Sequence, residues 1–185
     1  HLTNGADSNV IRKCTITLNT TSTSTNFAGI VNSAGDTPTT SGLNESDGNI
    51  IEKNTIIGGY YGITLVGSTT NAVGNNKILG NTVKDFYLYG MYLYGNFNTQ
   101  VELNRITRPT RATPTTFYGV YLTTLNTKVN INKNRIYTPF GGDPGTTSSF
   151  YGVYLTASDA LGGLENVISN NAIYDIKSSG AIYGV

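Results

Sequence analysis

The sequence is poor in the residues from which most protein chemistry is built. It has one cysteine, Cys14, one histidine, His1, one methionine and no tryptophan. A single thiol excludes an internal disulfide framework and a thiolate zinc site. A single imidazole at the first residue excludes a His-based zinc site and makes a Ser-His-Asp or Cys-His engine implausible. Charged residues make up 12% of the chain, about half the usual share in soluble proteins. The net charge is +1, and no basic run exists that could neutralise phosphates densely, so a nucleic-acid partner is not expected. No apolar run approaches a membrane span, and no signal peptide is legible. What is abundant is Thr, Gly, Asn and Ser, together 85 of 185 residues, with 13 Tyr and 6 Phe. That composition suits neither a helical bundle nor a charged disordered tail. A β-rich globular or repeat protein remains.

The chain repeats itself. One pattern is apolar, two residues, Asn, one residue, apolar. It reads Ile51-x-x-Asn54-x-Ile56, Ile78-x-x-Asn81-x-Val83, Val101-x-x-Asn104-x-Ile106, Ile131-x-x-Asn134-x-Ile136 and Ile168-x-x-Asn171-x-Ile173. An earlier copy, Ile11-x-x-Cys14-x-Ile16, has Cys in place of Asn. A second pattern alternates with it: Ala28-Gly29-Ile30, Tyr61-Gly62-Ile63-Thr64-Leu65, Tyr89-Gly90-Met91-Tyr92-Leu93, Tyr118-Gly119-Val120-Tyr121-Leu122, Tyr151-Gly152-Val153-Tyr154-Leu155 and Tyr183-Gly184-Val185. Its glycines step by 33, 28, 29, 33 and 32 residues. Each unit holds two or three short runs rich in Ile, Val, Tyr and Thr between Gly/Asn/Ser/Thr turns, and no sustained helical stripe. Leucine-rich repeats need a leucine-dense consensus, and propeller blades need longer units. A coil of three short strands per turn fits.

These Asn-x-Ile and Gly-Ile-x-Leu repeats resemble the right-handed parallel β-helix of the pectin-lyase-like superfamily, from about Asn9 to Val185. The resemblance implies an all-β solenoid of about six coils over residues 1–185, a rod roughly 25–30 Å long at about 4.8 Å per coil. It is specific for the fold and nearly silent on function, since the fold hosts lyases, hydrolases, adhesins, phage spikes and stalks. Strand alternation then sends Ile63/Leu65, Met91/Leu93, Val120/Leu122 and Val153/Leu155 inward. It also turns Gly62, Gly90, Gly119 and Gly152 outward, with Tyr61, Tyr89, Tyr118, Tyr151 and Tyr183 inward or in a corner. Asn54, Asn81, Asn104, Asn134 and Asn171 are expected to form a structural ladder at a bend, each amide bonding its neighbours in adjacent coils. Cys14 ends that ladder without an orphan amide.

Enzymes of the superfamily place carboxylates, Arg or Lys on the outer face of the Gly-Ile-x-Leu sheet and its flanking loops. The outward positions here are Thr64, Tyr92, Tyr121 and Tyr154, none a strong acid or base at neutral pH. The paired-Asp motifs of polygalacturonases are missing, and no metal or cofactor is expected. Glu52 and Glu102 share a repeat position two coils apart, with Leu79 between. That separation is roughly 9–10 Å, near the range of an inverting glycosidase pair. Arg12 beside Glu52 makes a surface ion pair the plainer interpretation.

Tyr92, Tyr121 and Tyr154 form an outward ladder suited to sugar rings or a partner surface. Arg105 and Arg135 share a position on adjacent coils, with Arg108 and Arg111 nearby, a small basic strip able to meet acidic glycans. Three long connections, Ser33–Asp47, Arg108–Thr116 and Tyr137–Ser149, are where a scaffold of this kind carries function. Asn19-Thr20-Thr21 and Asn44-Glu45-Ser46 match glycosylation acceptors.

The chain starts at His1 rather than Met and stops in mid-motif, so it reads as a segment of a longer protein. An uncapped terminal coil invites stacking by further copies or coils at the helix ends. The leading expectation is a non-catalytic structural or adhesive rod of an exported, extracellular or cell-surface, filament-forming protein, with polysaccharide as a possible contact. The alternative is a polysaccharide-acting lyase or hydrolase, or its carbohydrate-binding portion, with its chemistry in the Arg108–Thr116 and Tyr137–Ser149 loops.

Overall fold

The computed structural model describes residues His1–Val185 and contains strands and turns but no helix. Three sheets of six parallel strands run along it. The first holds Val10–Arg12, Ile50–Glu52, Lys77–Leu79, Gln100–Glu102, Asn130–Asn132 and Val167–Ser169. The second holds Thr15–Thr17, Thr55–Ile57, Thr82–Lys84, Arg105–Thr107, Arg135–Tyr137 and Ala172–Tyr174. The third holds Ala28–Asn32, Tyr61–Val66, Tyr89–Tyr94, Phe117–Thr123, Phe150–Leu155 and Ile182–Tyr183. The chain visits the sheets in the same order on every pass, and each strand pairs with its counterpart one coil away. This is a right-handed parallel β-helix of six coils, with the architecture of the pectin-lyase-like superfamily.

The first repeat motif maps onto one corner of the coil. Ile51 centres a first-sheet strand, Asn54 sits at the bend and Ile56 centres a second-sheet strand. In such three-residue strands only the central side chain can face inward, which gives the intermediate-buried-intermediate pattern of Gln100–Glu102. Ile51, Ile78, Val101 and Ile131 therefore stack as one buried column, and Ile56, Val83, Ile106 and Ile136 as another. Ile63, Met91, Val120 and Val153, with Leu65, Leu93 and Leu122, close the core from the third sheet. Each fully buried residue of this kind contributes about 1.5–3 kcal/mol. In the end coils Ile11, Ile16, Ile168 and Ile173 are only partly buried.

The bend itself is made by the residue before each asparagine. Lys13, Lys53, Gly80, Leu103, Lys133 and Asn170 all have φ between 54° and 64°. That left-handed residue turns the chain sharply, and the asparagine then binds the coils on either side. Asn54, Asn81, Asn104 and Asn134 each donate Nδ2 to the Oδ1 of the next rung, at 3.0, 3.1, 2.9 and 3.0 Å. The same Oδ1 accepts the backbone N–H of the previous rung at 2.8–3.0 Å. Nδ2 also donates backwards to a carbonyl of the preceding coil, as from Asn104 to Ile78 at 2.9 Å. At the first rung Cys14 N–H donates to Asn54 Oδ1 at 3.0 Å, and Asn54 Nδ2 finds Ile11 O at 2.9 Å.

Other asparagines do related work that the motif search missed. Asn9 N–H donates to Asn49 Oδ1 and Asn49 N–H to Asn76 Oδ1, at 2.9 and 2.8 Å. Their signal was present as Asn-x-Ile just ahead of the first motif, in Asn9-x-Ile11, Asn49-x-Ile51 and Asn76-x-Ile78. Where the third sheet ends, buried Asn96 donates its N–H to Asn126 Oδ1 at 3.2 Å.

Strand alternation fails at the glycines, and the two neighbouring expectations reverse. A Cβ on Gly90 would lie 2.7 Å from Ile106 Cγ2 and 2.6 Å from Gly119 O, and one on Gly152 would lie 2.8 Å from Ile173 Cδ1. Gly62 would meet Val83 in the same way. The glycines therefore face the second-sheet core rather than solvent. Glycine and the following Ile, Met or Val both face inward, and the pairing register steps from Tyr89↔Tyr118 to Met91↔Val120. The tyrosine before each glycine swings to the outer face.

Candidate functional site

That reversal doubles the aromatic content of the outer face of the third sheet. Ten of the thirteen tyrosines (Tyr60, Tyr61, Tyr87, Tyr89, Tyr92, Tyr118, Tyr121, Tyr151, Tyr154 and Tyr183) join ring to ring in one continuous array. One row, Tyr61, Tyr89, Tyr118, Tyr151 and Tyr183, stacks coil over coil with centroids 4.9–5.3 Å apart. The expected row of Tyr92, Tyr121 and Tyr154 runs beside it. Tyr121 and Tyr154 stack at 5.3 Å, whereas Tyr92 meets Tyr121 edge-on at 5.6 Å. Rings of the two rows interleave, with Tyr89 stacked on Tyr121 at 5.4 Å.

Most of these rings are half-buried, because each covers its neighbour. Burial first, and then the neighbouring phenols, push Tyr92 up to about 12 and raise Tyr89 as well. Tyr89 and Tyr92 thus keep their phenol protons at neutral pH as donors. The array offers a rigid aromatic surface of ring edges and phenol tips, which an extended partner can meet at low entropic cost.

The loops beside the array are anchored by arginines the sequence had placed with a basic strip. Arg108 is fully buried. Its Nε donates to Pro139 O at 2.9 Å, Nη1 to Tyr87 O at 2.5 Å and Nη2 to Thr115 O at 2.6 Å. Its guanidinium lies 5.3 and 5.0 Å from the ring centroids of Phe117 and Phe140. Burial, then the charge of Arg111, push it down to about 9, still a cation at neutral pH. Arg111 is also buried, over the Tyr87 ring at 4.7 Å, and its Nη2 donates to Ser22 O at 2.8 Å. Asp85 accepts from Thr110 N and Oγ1 at 2.8 and 2.9 Å. The 108–116 connection is consequently tied down at both ends of its length. Phe86, Phe117, Phe140 and Phe150 fill the corner behind it.

Arg105 and Arg135 are exposed and lie side by side in the second sheet, away from the tyrosines. With Lys53 and Lys133 they line a groove of about 630 Å³ at the asparagine bend. Glu52 and Glu102 are not brought together. Leu79 stands between them in register; Arg12 lies 3.7 Å from Glu52, and Glu102 accepts Asn130 Nδ2 at 3.1 Å. In the 137–149 region the carboxylate of Asp175 is taken by Thr138 at 2.8 Å and Lys177 at 3.7 Å. Of the two glycosylation patterns, Asn19 is exposed but Asn44 is fully buried, its Nδ2 donating to Asn32 Oδ1 and Val66 O at 2.5 and 2.9 Å. Asn44 is no acceptor site, because its amide nitrogen is spent inside the coil.

The coil stack and its repeated corner define a parallel β-helix protein. A family model described as periplasmic copper-binding protein (NosD) matches residues 3–183. The chain belongs to this family, whose description places it in the periplasm and hence beyond the cytoplasmic membrane. No match was found to a curated protein or to a solved structure.

The donors of this chain do not fit the copper of that description. Copper sites of proteins gather imidazole, thiolate and thioether ligands. Here Met91 is sealed in the core, Cys14 lies exposed at the first asparagine-bend position, and His1 Nε2 lies 3.1 Å from Ser33 Oγ. No three His, Cys, Asp or Glu side chains converge anywhere in the chain.

Proposed function

We propose that this chain is a non-catalytic, exported β-helix rod, displayed at or beyond the cell surface, whose tyrosine face contacts a polysaccharide. The observation that carries it is the unbroken array of ten rings, stacked at coil spacing along the third sheet. Packing alone needs rings that reach the core; apart from buried Tyr61 these lie outside it, over a core already closed by Met91, Val120 and Val153. An extended polysaccharide advances sugar by sugar over such a surface without needing a deep pocket. Support for a non-catalytic role is the chemistry of the same face, where Tyr92, Tyr121 and Tyr154 stand in the positions at which enzymes of this fold carry acids and bases, while Thr64, expected to be outward, is fully buried. The loops that the enzyme alternative would use are held by Arg108, Arg111 and Asp85 in backbone contacts.

Size-exclusion chromatography with light scattering, on the chain mixed with a panel of neutral and acidic polysaccharides, tests this. Co-elution with at least one polymer of unchanged length is expected. Shortening of any polymer would transfer the proposal to a lyase or hydrolase working from the 108–116 and 137–149 loops. Absence of co-elution across the panel would leave a rod without a glycan contact.

A further inference from the structure

We infer that the groove at the asparagine bend is a second contact site, specific for a carboxylate-bearing polysaccharide. The inference rests on the polysaccharide-contacting reading for the class of polymer, but on residues separate from the tyrosine face.

The groove follows from what the repeat places at two positions. The left-handed residue before each asparagine is Lys53, Gly80, Leu103 and Lys133 in successive coils. The residue after each asparagine is Thr55, Thr82, Arg105 and Arg135 in the same coils. Gly80 lacks a side chain, and a Cβ there would meet only the Lys53 stem at 3.7 Å. The surface dips between Lys53 on one side and Arg105, Lys133 and Arg135 on the other, enclosing about 630 Å³.

Three features point to an anionic sugar chain. First, the four cations are unpaired: the chain's two ion pairs are Arg12 with Glu52 and Lys177 with Asp175, and no carboxylate lines the groove. Like charges gathered on one wall with no counter-charge repel one another, and an anionic ligand relieves that cost. Second, Leu103 is 59% exposed at φ 60°. The bend requires a left-handed residue at this position in every coil, and here it leaves a bulky apolar side chain in solvent. It gives the floor an apolar spot where the face of a sugar ring can rest. Third, Arg105 and Arg135 stand one coil step of about 4.8 Å apart, with Lys53 two coils before Arg105 across the uncharged coil of Gly80 and Thr82, and an extended uronate chain presents carboxylates at intervals that can meet the adjacent pair. Arg105 and Arg135, adjacent in register, supply planar forks for carboxylates, while Lys53 and Lys133 supply point charges at the groove ends. Four cations over three coils are too few for a duplex nucleic acid, whose binding draws on denser phosphate neutralisation.

The test is equilibrium binding of the full chain to polygalacturonate, to its methyl-esterified neutral form, to a sulfated polysaccharide and to duplex DNA, at low and high salt. The variants are Arg105→Gln with Arg135→Gln, Lys53→Gln with Lys133→Gln, and Tyr121→Ala. Each exposed charge change leaves the core intact, and circular dichroism confirms folding. The wild type should prefer the free uronate over its ester by at least about tenfold, with the preference lost in either charge variant and at high salt. Stronger binding of the sulfated polymer would move the ligand from carboxylate to sulfate and overturn the assignment. Equal binding of DNA would overturn it too, leaving an unspecific basic surface. A charge variant that keeps the uronate preference would remove the groove while the tyrosine reading stands. Failure of the wild type to bind the free uronate would remove the groove site, whereas the tyrosine reading falls only if no polymer of the wider panel co-elutes.

Discussion

The two ends of the second sheet satisfy the polar groups of their turns by opposite means. At its start every coil uses one left-handed residue, followed in five of the six by asparagine, and each amide supplies what the next rung needs. At its end Gly58, Asp85, Thr138 and Asp175 are left-handed too, but the connections range from the short 58–60 to the long 138–149 and no side-chain rung repeats. There, one buried guanidinium spans two connections and the Tyr87 carbonyl, saturating three oxygens that would otherwise be orphaned. A repeated polar corner is satisfied by periodicity, an irregular one by a single side chain with many donors. The first is robust through redundancy; the second concentrates its stability in one residue.

The sharpest way to break this contrast is Arg108→Met. It should cost about 3–5 kcal/mol in urea unfolding, since three carbonyls lose a charged donor and the Phe117–Phe140 slot loses its filling. A loss no larger than that of one asparagine rung would put the two corners on the same footing. Asn104→Leu, in mid-ladder, should cost about 1–3 kcal/mol. Gly90→Ala should cost a comparable 1–3 kcal/mol by overpacking against Ile106, about as much as a rung although no hydrogen bond is lost. If Gly90→Ala proved neutral, the glycine would not face the core.

Smaller effects sharpen the comparison. Cys14→Asn adds an amide where Asn54 Oδ1 already accepts a backbone N–H, and should gain about 0.5–1 kcal/mol as measured by thermal melting. A loss would show that the ladder cannot be extended to the first coil. The tyrosine array gives a pH signature. Tyr92 is raised in the folded state, so its contribution is complete below pH 10 and falls as pH rises through about 12. Arg108, lowered to about 9, acts with the opposite sign in the alkaline range but is common to wild type and Tyr92→Phe. The difference between those two denaturation curves should therefore open only above pH 10. A difference that opened in acid would point to another group.

How much of this was legible depended on repetition. Asn54 through Asn171, and the columns headed by Ile51 and Ile56, stand in the sequence as one motif repeated at each coil, so coil number, corner and core can be read directly. The glycines misled, because two-residue alternation presumes a straight strand, and the chain is still turning at Gly62, Gly90, Gly119 and Gly152. With them the outer row of Tyr61, Tyr89, Tyr118, Tyr151 and Tyr183 was assigned to the inside. Arg108 and Arg111 looked like neighbours of Arg105 because they are close in sequence. Only the folded loop shows that Phe117 and Phe140, from different coils, close over Arg108. The basic groove was half visible as Arg105 and Arg135; Lys53 and Lys133 enter it through a left-handed bend that spacing alone does not display.

The central claim, that the tyrosine face is a contact surface, has a built-in reporter. The chain has no tryptophan, so its ultraviolet emission comes from 13 tyrosines, ten of them in the array. The most direct measurement is a tyrosine-emission titration with the polysaccharide that co-elutes with the chain, on wild type and Tyr121→Ala. A saturable change in emission is predicted, with affinity weakened about two- to twelvefold in the variant, since a ring contact is worth about 0.5–1.5 kcal/mol. Binding that leaves the emission unchanged, at equal affinity in Tyr121→Ala, would contradict the account.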